Sequence, residues 1–170
     1  KFNPYIIEIK NNIWKLKINN SYKVIDSGLK LTIDKEKIIF KDVFMALHGP
    51  PAENGELQIL FEKQNINFTC CGSEISELTF NKFKCNKVLK NLGFNIAKSI
   101  LIKSENYTQE EILKQVDLPF IVKPNQAGSS NGISLVKNLS ELKKATSLAF
   151  KHDNEVIIEE YIGGTEASCG

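Results

Sequence analysis

Apolar and polar residues alternate through positions 5–18, "YIIEIKNNIWKLKI", and the alternation breaks only at Asn11-Asn12, which predicts two short strands around a hairpin turn. Over 42–49 the pattern changes. "DVFMALHG" is a continuous apolar run ended by a loop, the pattern of a strand buried on both faces, as in a parallel sheet. A turn, "PPAENG", follows, and residues 56–65 carry Leu57, Leu60 and Phe61 at helical spacing. Ser73 is expected to cap a helix bearing Ile75, Leu78, Phe83, Val88 and Leu89, with Gly93 as its stop. Beyond it the pattern predicts a strand over 97–102 and a helix in "QEEILKQV" opened by a capping box of Thr108 and Glu111. Strands in "PFIVKP" and "GISLV", a helix from Asn138 or Ser140 to about Phe150, and a last strand over 155–162 complete the series. Strands and helices alternating in this way predict two α/β units with a boundary near Gly72.

Composition narrows the class. At 170 residues and 42% hydrophobic, the chain can bury a core, and a net charge of +2 from 22 basic and 20 acidic residues forms no basic stripe of the nucleic-acid-binding kind. No run approaches the ~18 apolar residues of a membrane span and no signal-peptide pattern is present, so neither nucleic acid nor membrane is expected as a partner. Cys70, Cys71, Cys85 and Cys169 show no C-x-x-C spacing, and they read as reduced small side chains of a cytoplasmic protein. The chain starts at Lys1 without Met and stops at "EASCG" without a cap or polar tail, so both ends read as cut. Every basic residue is lysine, so any anion must be met by Lys, hydroxyls, helix termini or backbone N–H groups rather than by a guanidinium fork.

One stretch answers to that requirement. In "VKPNQAGSSNG", residues 122–132, Lys123 leaves the end of a predicted strand and is followed by two glycines flanking Ser129, Ser130 and Asn131. Bare backbone with small hydroxyls can close over an anion, with the lysine ammonium on the same charge; a plain flexible hairpin loop has the same composition. The segment is neither a P-loop nor a G-x-G-x-x-G fingerprint. Similarly, "IIEEYIGGTE" reads either as a hinge, offering backbone from Glu159, Glu160, Tyr161 and Ile162 to an adenine edge and Glu166 to ribose hydroxyls, or as a strand end with a Gly-Gly turn.

The ordered set "ALHGPPAENGELQ", "LTFNKFKCNKVLKNLG", "FIVKPNQAGSSNGISLV" and "VIIEEYIGGTE" resembles the D-alanine:D-alanine ligases of the ATP-grasp superfamily. The resemblance runs from about Ala46 onward, with a looser likeness before it. It implies an α/β fold, with an N-terminal parallel-sheet, Rossmann-like domain over 1–72 and an α+β ATP-grasp central domain over 73–160, and with residues 161–170 entering a further subdomain. It also implies ATP-dependent joining of two D-alanines through an acyl phosphate for peptidoglycan synthesis, in a cytoplasmic homodimer. A D-alanine:D-lactate ligase, another carboxylate–amine ligase of the same superfamily, or a non-catalytic nucleotide-binding remnant are the competing readings. By motif position, His48 is implied at the first D-alanine, Lys82 and Lys123 at the ATP phosphates, and Ser129 and Ser130 in the loop that covers them, with Ser129 also near the substrate. The Mg2+ ligands and the catalytic arginine of the family have no counterpart in these residues. Ala52, where glycine usually precedes the motif acid, and Asn131, where an apolar residue is common, depart from the family pattern.

Overall fold

In the structure, a computed structural model that describes residues 4–26, 29–33 and 36–167, the Asn pair forms the expected turn. It joins β1 (Ile6–Lys10) to β2 (Ile13–Ile18), with Ile9 opposite Trp14 and Lys10 opposite Ile13. Asn11 (φ 50°) and Asn12 (φ 59°) are both left-handed, as a two-residue turn matched to strand twist requires, and Asn tolerates that region better than most side chains. β3 (Ser21–Ile25) pairs antiparallel with β2, so that the alternation of β2 buries Trp14 and Leu16 on one face while Ile13, Lys15 and Lys17 remain exposed. β4 (Lys30–Ile33) and β5 (Glu36–Ile39) form a separate antiparallel pair.

The strand expected over 42–49 is corrected by the structure. Only β6 (Asp42–Val43) is a strand; α1 (Glu56–Lys63) follows it, and then β7 (Asn67–Phe68), which pairs with β6 in parallel. The ladder stops because β7 is two residues long and the Thr69 hydroxyl, not a strand carbonyl, accepts from the Met45 N–H at 3.0 Å. Phe44 is left 81% exposed, so this run is not buried on both faces. Segments Lys1–Ala46 and Gln58–Cys70 make one compact unit; Leu47–Leu57 groups with Cys71–Gly170 in a second, which contains all the candidate site residues.

In the second unit the single helix expected from Ser73 to Gly93 is two: α2 (Ser73–Phe80) and α3 (Lys82–Asn91), broken at Asn81. Ser73 is not the cap; Gly72 holds that place and Ser73 opens the helix. Asn81 keeps its N–H on the Glu77 carbonyl, but its Oδ1 accepts from the Lys84 N–H at 3.0 Å, which makes it the N-cap of α3. A short amide side chain that competes for the backbone favours such a break. Gly93 (φ 90°) ends α3 as expected: Gly93 N–H donates to the Lys90 carbonyl and Phe94 N–H to the Leu89 carbonyl, a Schellman pair.

β8 (Ser99–Ile102) leads to α4 (Gln109–Leu113), where Thr108 and Glu111 form the capping box in both directions at 3.2 and 2.9 Å. β9 (Phe120–Pro124), β10 (Ser134–Val136), α5 (Leu139–Ala149), with Asn138 as its N-cap, and β11 (Val156–Glu160) complete the chain. The four strands form one antiparallel sheet in the order β10-β9-β11-β8. Phe120 and Val122 of β9 and Val156 and Ile158 of β11 bury one face in a core with Ile112, Val116, Leu142 and Ala149. Each large side chain there contributes about 1.5–3 kcal/mol. The period of two then puts Ile121, Lys123 and Glu159 on the other face, so the same residues that anchor the strand aim its lysine. Among the described residues, no helix is long and apolar enough to cross a membrane. Cys70, Cys71 and Cys85 are free thiols; Cys169 lies outside the described residues.

Candidate functional site

Lys123 stands on β9 opposite Ile157. Its ammonium donates to Glu159 Oε1 at 2.9 Å, with the two side chains only 19% and 17% exposed, and Glu159 Oε2 accepts from Asn86 of α3 at 3.3 Å. Lys82 begins α3 because Asn81 breaks the preceding helix. Its Nζ donates to the carbonyls of Asn125 (3.1 Å) and Ala127 (2.6 Å), which hold it against the start of the loop after β9. Burial first, and then the positive charge of Lys123, push the Lys82 ammonium below the ordinary lysine value; Asp153 and Glu159 pull the other way. A half-sequestered Lys82 ammonium beside the charge of Lys123 makes a site that a polyanion would relieve.

The loop between β9 and β10 supplies the second half. Gln126 N–H donates to Asp153 Oδ2 at 2.6 Å, fixing the loop at its base. Ser129 (φ 54°) and Ser130 (φ 55°) are both left-handed, and Asn131 N–H donates back to the Gly128 carbonyl at 3.3 Å, closing a tight turn across the two serines. Left-handed serines cost roughly 1 kcal/mol each, strain of a kind that clusters at functional sites.

His48 meets this loop. Its Nε2 lies 3.3 Å from Ser129 Oγ, and its Nδ1 lies 3.1 Å from Glu53 Oε1, so Glu53, His48 and Ser129 form one chain of polar contacts at a ring that is 80% exposed on its side chain. A carboxylate on Nδ1 keeps a proton on that nitrogen and orients the ring, so that Nε2 faces the serine hydroxyl. Gly49 and Gly55 take the left-handed positions of the histidine loop and Ala52 takes neither, so the residue that departs from the family pattern sits there unstrained.

Of the remaining site residues, Glu160 accepts from Lys98 N–H at 3.0 Å, Tyr161 N–H donates to the Pro119 carbonyl at 3.1 Å, and Ile162 and Glu166 are exposed beyond β11. The structure thus brings His48 to Ser129 and Lys123 to Glu159, and sets Lys82 at the base of the serine loop. Sequence reasoning left two members without a role. Glu53, five residues after His48 in the same loop, is one. Asn125, two after Lys123, is the other, and an Asn in an otherwise apolar strand end is the signal for it. Among the described residues no group of three or more His, Cys, Asp or Glu could hold a metal ion.

A four-stranded antiparallel sheet backed by α4 and α5 on one face, with Lys123 on the other and a small-residue loop after β9, is the architecture of the ATP-grasp fold seen in the solved structures below. A family profile described as "D-ala D-ala ligase C-terminus" matches residues 88–170. The D-alanine–D-alanine ligase of Parabacteroides distasonis is 39% identical over all of this chain and 52% of its own length. The crystal structure of D-alanine–D-alanine ligase from Helicobacter pylori is 29% identical, with a TM-score of 0.82 over 94% of this chain and 54% of that one. The Bacillus anthracis ligase complexed with ATP is 27% identical, with a TM-score of 0.65 over 73% of this chain and 42% of that one. The chain is thus similar over its whole length to D-alanine–D-alanine ligases, and it spans about half the length of the curated relatives it matches.

Proposed function

We propose that the protein containing this chain joins two D-alanines to D-alanyl-D-alanine at the expense of ATP, for peptidoglycan precursor synthesis. The observation that carries the reading is the placement of one strained serine, Ser129, within reach of His48 on a loop whose base is held by the half-buried ammonium of Lys82. ATP supplies the phosphoryl group that activates the first D-alanine carboxylate. Lys82 and Lys123 hold phosphate oxygens, Ser129 and Ser130 close over them with the loop amides, and these fixed charges offset negative charge as the phosphoryl group moves. Glu159 is engaged with Lys123 and Asn86 and the Tyr161 N–H with Pro119, so adenine falls to backbone beyond them, the Tyr161 carbonyl and Ile162 N–H, with Glu166 toward ribose. His48, oriented by Glu53, meets the first D-alanine. Residues 1–72 serve as the N-terminal domain, 73–160 as the central ATP-grasp domain and 161–170 as the start of the next. Mg2+, homodimerisation and a cytoplasmic location belong to the same reading.

The test is Lys123→Ala in the full-length protein. Loss of one phosphate counter-charge in a closed site removes on the order of 2–4 kcal/mol of transition-state stabilisation, so ligation should nearly vanish and ATP should bind more weakly. Near wild-type kcat/KM would remove Lys123 from the phosphate site.

A further inference from the structure

Every polar atom of Asn125 has a hydrogen-bond partner, and its partners are the start of α3 on one side and Glu155 on the other. The residue is fully buried at the end of β9. Its Oδ1 accepts from the Phe83 N–H at 2.9 Å, and its Nδ2 donates to Asn81 Oδ1 at 3.1 Å and to Glu155 Oε2 at 2.8 Å. Its N–H donates to the Glu155 carbonyl at 2.9 Å, and its own carbonyl accepts from both the N–H (3.2 Å) and the Nζ (3.1 Å) of Lys82. The orientation of the amide follows from the partners: a backbone N–H on one side demands an oxygen, and two carbonyl-type oxygens on the other demand the NH2. Glu155 is held in turn by Lys103 at 2.9 Å.

We propose that Asn125 is the positioning residue for Lys82: one buried carboxamide locks the first turn of α3 to the ends of β9 and β11, so that the Lys82 ammonium is delivered to the base of the Ser129–Ser130 loop. This rests on the phosphate-binding reading above. Three features of the geometry point to positioning rather than general stability. The first turn of α3 is tied to the sheet by side chain and backbone of the same residue. The break at Asn81, which makes Lys82 a helix-start residue at all, is held open from outside by the Asn125 NH2. And the requirement is chemical as well as steric. An aspartate of the same size would set a carboxylate against Glu155 and the Asn81 oxygen, so charge repulsion would push the α3 start away from β9 while leaving the core on the other face of the sheet intact.

Asn125→Asp and Asn125→Ala in the full-length protein test it, at a temperature where each is folded by circular dichroism. Expected is a rise of about ten- to a hundredfold in Kd for ATP, read by calorimetric titration, with KM for D-alanine little changed. A second readout is acetylation by an N-hydroxysuccinimide ester followed by peptide mass spectrometry: Lys82 should label several-fold faster in the variants, while Lys84, exposed in both, should not change. Asn125→Asp with Glu155→Gln replaces the repelling carboxylate by a donor and should recover part of the ATP affinity. Unchanged ATP affinity and Lys82 labelling in folded variants would overturn the proposal while leaving the ligase reading in place. A wild-type protein that bound no ATP would sink both, and one that bound ATP without ligating D-alanine would sink the ligase reading alone.

Discussion

Gly132, at the end of the serine loop, gives the sharpest test of how that loop is built. It has φ +73°, and a Cβ added there would lie 2.7 Å from His152 Cδ2, 3.0 Å from Pro124 Cγ and 3.3 Å from Pro124 Cδ. Gly132→Ala therefore meets three effects. Holding an L-residue in the left-handed region costs about 1 kcal/mol. The His152 ring is exposed and can swing away, but Pro124 is buried in β9 and cannot, so overpacking adds about 1 kcal/mol, the low end of its range. Restricting the unfolded chain returns about 0.4–1 kcal/mol. The net is a loss of about 1–2 kcal/mol, or about 5–10 °C in Tm for a unit of this size. Thermal unfolding by circular dichroism reads it, with Gly128→Ala as the companion. There the backbone is not left-handed and the new Cβ meets only Glu53 Oε2, at 3.8 Å, so stability should be unchanged or slightly higher. Removing the imidazole as well, in His152→Ala with Gly132→Ala, should restore little. If Gly132→Ala were as stable as Gly128→Ala, or if the double variant recovered fully, the loop would not be pinned by Pro124 and the strain argument would fail.

Two further outcomes follow from the same geometry. Hydrogen bonds from Lys103 first, and from Asn125, hold the Glu155 carboxyl below its ordinary value of 4.5 against the effect of burial, so its contribution to stability is present above that value and disappears as pH falls through the lower, folded one; Glu155→Gln should flatten the acid side of the stability curve below about pH 4.5, and an unaltered curve would mean the carboxylate carries none of it. His48→Gln in the full-length protein should leave ATP affinity nearly intact while lowering kcat and raising KM for the tighter D-alanine, roughly tenfold or more in kcat/KM; equal damage to ATP binding would place His48 outside the substrate site.

Local chemistry made several elements readable in advance. The Asn11-Asn12 turn, the Thr108–Glu111 box and Gly93 depend on a few adjacent residues, and the structure has all three. The strand over 42–49 misled because an apolar run reports the capacity to be buried, whereas strand pairing needs a neighbour of equal length, and β7 supplies two residues. The break at Asn81 was hidden for a related reason. Spacing of Ile75, Leu78, Phe83 and Val88 continues through it, and the capping oxygen of Asn81 is met from the sheet by Asn125, 44 residues away. The site divides along the same line. Lys123, Ser129 and Ser130 were legible because they sit in one short segment; Glu53 and Asn125 act through contacts that only the folded chain assembles.

The turn across Ser129 and Ser130 has a chemical consequence over time. It ends in Asn131-Gly132, an exposed asparagine followed by the one residue that offers no side chain to shield its backbone nitrogen. Asparagine is a heat-labile side chain, and attack by the Gly132 nitrogen on its carboxamide carbon would expel ammonia and close a succinimide ring, which water then opens to an aspartate or an isoaspartate. Ageing of the protein would then write a negative charge, and in the second case an extra backbone carbon, into the loop that otherwise presents only hydroxyls and N–H groups to an anion.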